Sequence, residues 1–207
     1  MTLAPARERA VAVVAVASWM CGAALSRRIG IWSGIGVAAL LVFGAVVVLE
    51  GRSVMARLHA TAASVGLGAV GGLAMSVATT LLYPLARRLD PAVERQAAEL
   101  YVAFRAAPGW KVALMLPLVI AAEEVVWRGV VQGAARRSLG QVPAVLASAG
   151  LYALAHAPTG SPLLTAVALA CGVYWGALAA FTGSLAAPLL AHLIWDLAVL
   201  VVRPLVP

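Results

Sequence analysis

VALMLPLVIAAEEVVWRGVV, residues 112–131, is long and apolar enough to suggest a membrane helix, yet it carries Glu123, Glu124 and Arg128. A spanning helix needs ~20 predominantly apolar residues. Each charge near its centre costs ~2.5–3.5 kcal/mol on insertion scales. Charges kept there at such a cost mark a candidate functional site, provided that the rest of the chain also belongs in lipid.

The composition meets that condition. Of 207 residues, 63% are hydrophobic and 11% charged, and the mean hydropathy is +0.99. Average soluble domains carry about 45–50% apolar and about 25% charged residues. The net charge of +7 comes from 15 Lys+Arg against 8 Asp+Glu. Arginines such as Arg27, Arg28, Arg87, Arg88, Arg136 and Arg137 sit mainly between apolar runs. They are read as anchors at lipid headgroups, so membrane lipids are expected partners and nucleic acid is not. Cys21 and Cys171 form no CxxC or zinc-ligand spacing and read as small buried hydrophobes.

Working outward, residues 10–26, 29–49 and 58–86 contain no Asp, Glu, Lys or Arg, which gives three candidate spans. The first follows a charged start but has no clean A-x-A cleavage site, so it is read as a retained helix rather than a signal peptide. Residues 87–111 look water-facing. Asp90-Pro91 resembles an N-cap with proline at the first helical position. Apolar residues at 93, 97, 100, 101 and 104 share one helical face, so an amphipathic helix at the membrane interface is expected. After the span from Val112 comes a charge-free stretch from Ser138 to Trp195. Turn clusters at 158–162 and 182–184 divide it into helices near 142–157, 162–181 and 185–202. The expectation is an all-α membrane bundle of about seven transmembrane helices plus one interfacial helix, in a single domain over 1–207.

Helical spacing organises the polar residues. Glu124 and Arg128 are four apart and able to pair, as are Tyr152 and His156, and His192 and Asp196. Glu123 is rotated about 100° from Glu124 on an ideal helix, free to point elsewhere. Burying the polar spots of three helices together is cheaper than exposing each to lipid. A Glu with a His can position and deprotonate water, and a second His can donate to a developing oxyanion. HExxH and GxSxG are absent. His59 reads as a satisfied core residue, Trp127 as packing, and the Gly-rich run 66–76 as a surface for close helix contact.

The residues resemble the CPBP family of intramembrane proteases, which includes CAAX proteases and bacteriocin-processing enzymes. EEVVWR at 123–128 fits its EExxxR motif, Tyr152-xxx-His156 its FxxxH motif, and His192-xxx-Asp196 its Hxxx(N/D) motif. The stretch 172–196 also looks like the family's run into the last motif, and the similarity covers 112–200, a catalytic half. The resemblance implies an endopeptidase cutting near the C-terminus of membrane-anchored or lipidated proteins. By that likeness Glu123 is the general base with His156, His192 and Asp196 line the oxyanion site, and Glu124 and Arg128 hold the motif helix.

Two positions depart from the family pattern. Tyr152 stands where Phe is usual, and Asp196 where many members have Asn. An ionised Asp cannot donate to an oxyanion. It must be protonated, orient His192, or bind a cation. Glu123, His156, His192 and Asp196 also form an acceptable zinc set, although no cofactor is the favoured reading. The competing function is a non-proteolytic immunity or binding protein on the same scaffold. An Ala/Val/Gly/Arg-rich composition suggests a GC-rich bacterial genome, and the expected location is the bacterial inner membrane.

Overall fold

The structure, a computed structural model, describes residues 3–206, with side chains described for all of these except 3–7, 50–53 and 55. It is built of helices, with no strand among the described residues. They are α1 (Leu3–Ile29), α2 (Ile31–Met55), α3 (Ala62–Leu89), α4 (Pro91–Arg105), α5 (Gly109–Glu123), α6 (Gln132–Leu139), α7 (Gln141–His156), α8 (Pro162–Thr182) and α9 (Ala186–Asp196). A π-helical stretch, Glu124–Val131, joins α5 to α6 without a break, and a second, Leu197–Val202, extends α9. Every expected helical segment is thus a helix, and the joints fall within a few residues of the charged or turn-forming positions.

Helices around Glu8–Ile29, Ile31–Leu49, Ala62–Leu89 and Pro162–Thr182 are long and apolar enough to cross a membrane, and Ala186–Val202 is a shorter apolar helix. Large apolar side chains such as Val48, Leu81 and Phe181 face outward, the opposite of a water-soluble surface. The molecule is an all-helical integral membrane bundle. α1 packs along α2 and against α7, with Trp19 fully buried, so the first helix is part of the bundle.

Local chemistry sets the boundaries. Thr61 caps α3 reciprocally with Ser64, which satisfies donors that the first turn leaves open. Asp90 Oδ1 accepts from Ala92 N at 2.8 Å, with Pro91 at the start of α4. Gly160 and Gly183 take φ of +81° and +67° at the two ends of α8. There the chain needs a left-handed residue that a side chain would strain.

Gly68 and Gly72 of α3 meet the helix that carries His192. A Cβ on Gly68 would lie 2.6 Å from the Ala187 carbonyl oxygen, and one on Gly72 2.8 Å from that of Ala191. Close approach of α3 and α9 is possible only because these positions carry no side chain. Tyr174 on α8 donates to the Gly71 carbonyl at 3.0 Å.

Two expectations need correction. Cys21 is exposed on the outer face of α1, and only Cys171 is buried. In lipid an exposed small thiol has no reason to turn inward. His59 is exposed and not in the core, because its loop lies beyond the end of α2. Its Nδ1 contacts the Ala56 carbonyl at 3.0 Å.

Candidate active site

The motif helix changes geometry at the site. α5 ends on Glu123 and the π-helical stretch begins on Glu124. A π turn replaces i→i+4 bonds by i→i+5 and is frequent at functional sites. Carbonyls of this stretch are also engaged from elsewhere. Arg57 Nη1 donates to the carbonyls of Arg128 and Gly129 at 3.0 and 3.1 Å, and Ser148 Oγ to that of Trp127 at 2.9 Å. Burial, and then the nearby Arg136, hold the Arg57 guanidinium below its usual range.

Three helices bring their polar spots to one place. Tyr152 Oη donates to Glu123 Oε2 at 2.9 Å. His156 Nε2 lies 3.6 Å from Glu123 Oε1, and His192 Nε2 3.7 Å from Glu123 Oε2. His192 Nε2 is also 3.5 Å from Asp196 Oδ2. On its other side, His192 Nδ1 lies 2.8 Å from Glu124 Oε1. Arg128 Nη1 donates to that same oxygen at 3.2 Å. Exposure is 5% for Glu123, 0% for Glu124, 1% for Arg128 and 3% for His192, so these charges interact out of water.

Hydrogen-bond inventory fixes what each ring can do. His156 Nδ1 lies 2.8 Å from the Tyr152 carbonyl. A carbonyl only accepts, so Nδ1 carries a proton, and Nε2 is the ring nitrogen turned toward Glu123. Glu124, paired with Arg128, accepts from His192 Nδ1. His192 Nε2 then faces two further carboxylates. Only a ring with a donor on each nitrogen suits both sides.

Glu124 therefore does more than pair along its own helix, because it also holds the ring nitrogen of His192 that faces away from Glu123. Asp196 stands on the Nε2 side and so is not the carboxylate that fixes the far nitrogen.

Aromatic packing locks the arrangement. Trp175 stacks on His192 with ring centroids 3.6 Å apart and planes at 17°, and the Arg128 guanidinium lies over both Tyr152 and Trp175, at 4.8 and 5.3 Å. Such contacts add to apolar burial. Trp175 belongs with the site but carried no assigned role in the sequence reading. Its position one turn after Cys171 on α8 turns it toward α9 and Arg128, which an all-round apolar helix does not announce. Trp127 is fully buried, with its ring edge-on to Trp19, in keeping with packing.

A cavity of about 450 Å³ opens from the site. Glu123, His156, His192 and Asp196 line it, and the rest of its wall is almost wholly apolar. Val93, Ala97, Leu100, Tyr101 and Phe104 of α4 all face it. The apolar face of the amphipathic helix thus covers the cavity. α4 is tied down by Trp32 Nε1 donating to the Phe104 carbonyl at 2.8 Å and by Leu163 N donating to Gln96 Oε1 at 2.8 Å.

His156 and His192 meet the Glu123 carboxylate in the same orientation. Both Nε2 atoms are directed at Glu123, and both Nδ1 atoms are committed to hydrogen bonds. Among the described residues no group of three or more His, Cys, Asp or Glu side chains could hold a metal ion.

Fold and site together define an intramembrane protein with a buried carboxylate–imidazole centre beside an apolar cavity. A family model described as Rce1-like, type II CAAX prenyl endopeptidase, matches residues 105–198. The matched segment contains all seven site residues. It agrees with the CPBP/CAAX protease family to which the three motifs pointed, and that family supports intramembrane endopeptidase activity in general. No curated protein and no solved structure matches the chain.

Proposed function

We propose that the protein is an intramembrane endopeptidase in which Glu123 activates water. The observation that carries this reading is the setting of the Glu123 carboxylate. It is met by a hydroxyl and an imidazole from α7 and a second imidazole from α9, beside an apolar cavity. In this reading His156 is neutral with its proton on Nδ1, so Glu123 Oε1 and His156 Nε2, 3.6 Å apart, are two acceptors. One water can donate a hydrogen to each and leave its own lone pair free.

In the proposed reaction that water attacks the scissile carbonyl carbon and passes a proton to Glu123, with His156 holding the attacking oxygen. Negative charge develops on the carbonyl oxygen, and His192 Nε2–H donates to it. Glu123 then returns the proton to the leaving nitrogen as the C–N bond breaks. Tyr152 fixes the second carboxylate oxygen, while Glu124 and Arg128 aim His192. Asp196 lines the oxyanion side.

The apolar cavity suits an apolar segment of a membrane-anchored or lipidated protein, cut near its C-terminus. Residues 112–200 form the catalytic half of one membrane domain spanning 1–207, placed in a bacterial inner membrane. No cofactor enters the scheme.

Glu123→Ala and His192→Ala in the native host, followed by membrane proteomics of C-terminal fragments, test it. Both variants are expected to accumulate the same uncleaved precursors. If the inserted variants leave every precursor unchanged, the catalytic assignment fails.

A further inference from the structure

Glu124, Arg128, Gln132 and Arg136 recur every four residues along the continuous helical run 109–139. This spacing lays them along one helical face, and the Glu124–Arg128 ion pair shows that contact at its inner end. The first three are buried, and Arg136 is exposed near the helix end. The stripe therefore runs from an exposed helix end to the carboxylate that holds His192.

Each buried member keeps one polar atom with no protein partner. These atoms are Glu124 Oε2, Arg128 Nη2 and Gln132 Oε1. Their neighbours on the same side chains are engaged: Glu124 Oε1 by Arg128 and His192, Arg128 Nη1 by Glu124, and Gln132 Nε2 by the Gly176 carbonyl at 3.0 Å. The order along the stripe is acceptor, donor, acceptor. Water on either side of the guanidinium can accept from Nη2 and donate to a carboxylate or amide oxygen. Nearby, the buried indole N–H of Trp175 is a further donor without a protein partner, and its ring is 5.3 Å from the Arg128 guanidinium. A Cβ on residue 176 would come within 2.9 Å of Gln132 Oε1, so glycine there leaves the amide its space.

We propose that Glu124, Arg128 and Gln132 hold buried water that exchanges with the aqueous side through the Arg136 end of the helix. Buried polar groups lacking protein partners are served by ordered water with two to four polar contacts, whereas hydrocarbon-lined cavities stay dry. The apolar cavity is thus a poor route for water, and the stripe is a polar one. Any use of this water in hydrolysis rests on the proteolytic reading above, but the hydration site does not.

Radiolytic hydroxyl footprinting of the purified full chain tests the proposal, because side chains beside bound water are oxidised even when buried. Trp175 is expected to be oxidised in the wild type, and several-fold less in Gln132→Leu. Should Gln132→Leu fail to insert, Gln132→Met removes the same oxygen with a more flexible chain. Equal oxidation of Trp175 in wild type and variant would mean that water arrives from the cavity, and the proposal falls. Absence of oxidation in both overturns it as well. The measurement needs no peptide substrate, so its outcome is independent of whether the chain cleaves one.

Discussion

Glu124 Oε1 lies 2.8 Å from His192 Nδ1, although the two residues are 68 positions apart in the chain. The same oxygen takes a hydrogen bond from Arg128 at 3.2 Å, so one carboxylate ties the motif helix to α9. Glu124→Gln keeps an oxygen there but leaves a guanidinium 1% exposed without a counter-charge. Breaking one side of a buried pair costs ~3–5 kcal/mol. The expected result is a steep fall in the thermal unfolding midpoint in detergent, largely restored in Glu124→Gln/Arg128→Met. If Glu124→Gln unfolds like the wild type, the pair does not hold these helices.

Tyr152→Phe isolates one hydroxyl. The ring keeps its packing on Trp127 and His156 and loses only the bond to Glu123 Oε2. A hydrogen bond to a charged group is worth ~1.5–3 kcal/mol, so processing of precursors is expected to slow by about tenfold or more. The protein should remain inserted. A rate equal to that of the wild type would show that the other contacts of Glu123 suffice to place it.

The helices were legible because runs without Asp, Glu, Lys or Arg are long, and the turns between them use Gly, Pro and Thr. The motif residues were legible from i,i+4 spacing, which survives any tertiary arrangement. Contacts such as Glu124 to His192 and Trp175 to His192 were not. They depend on how α8 and α9 are rotated about their axes, and an all-round apolar helix leaves no stripe to show that rotation. EVVWRGVV carries no proline to announce a π turn. Its widening rests on donors from Arg57 and Ser148, far away in sequence. The amphipathic pattern of 93, 97, 100, 101 and 104 correctly marked a buried face of α4, but periodicity cannot say whether that face meets lipid or a cavity.

Gly72 and Gly66 are both small residues of α3, but only one meets α9. A Cβ at Gly72 would lie 2.8 Å from the Ala191 oxygen and 2.9 Å from Ile194 Cβ, whereas at Gly66 nothing is within 4 Å. Overpacking of this kind typically costs ~1–3 kcal/mol, and here it pushes on the backbone beside His192. Gly72→Ala is expected to lower both the unfolding midpoint and precursor processing, with Gly66→Ala near wild type in both. Equal behaviour of the two variants would break the link between the α3–α9 contact and the site.

Asp196 offers the sharpest discrimination among the roles left to it. Its Oδ2 is 3.5 Å from His192 Nε2, the atom assigned to the oxyanion in the proposed reaction. An ionised carboxylate there competes for that hydrogen and repels a developing negative charge. An amide supplies a donor of its own in nearly the same volume. An Asp196 that serves the oxyanion therefore acts protonated, so Asp196→Asn is expected to retain precursor processing within about tenfold of the wild type and Asp196→Ala to lose more, because one donor toward an oxyanion is worth ~2.7–4 kcal/mol. The comparison is read from uncleaved precursor in host membranes, with insertion checked by the amount of variant protein. If Asn abolishes processing as fully as Ala, the negative charge itself is required, which means that Asp196 acts by holding His192 or a cation rather than by serving the oxyanion.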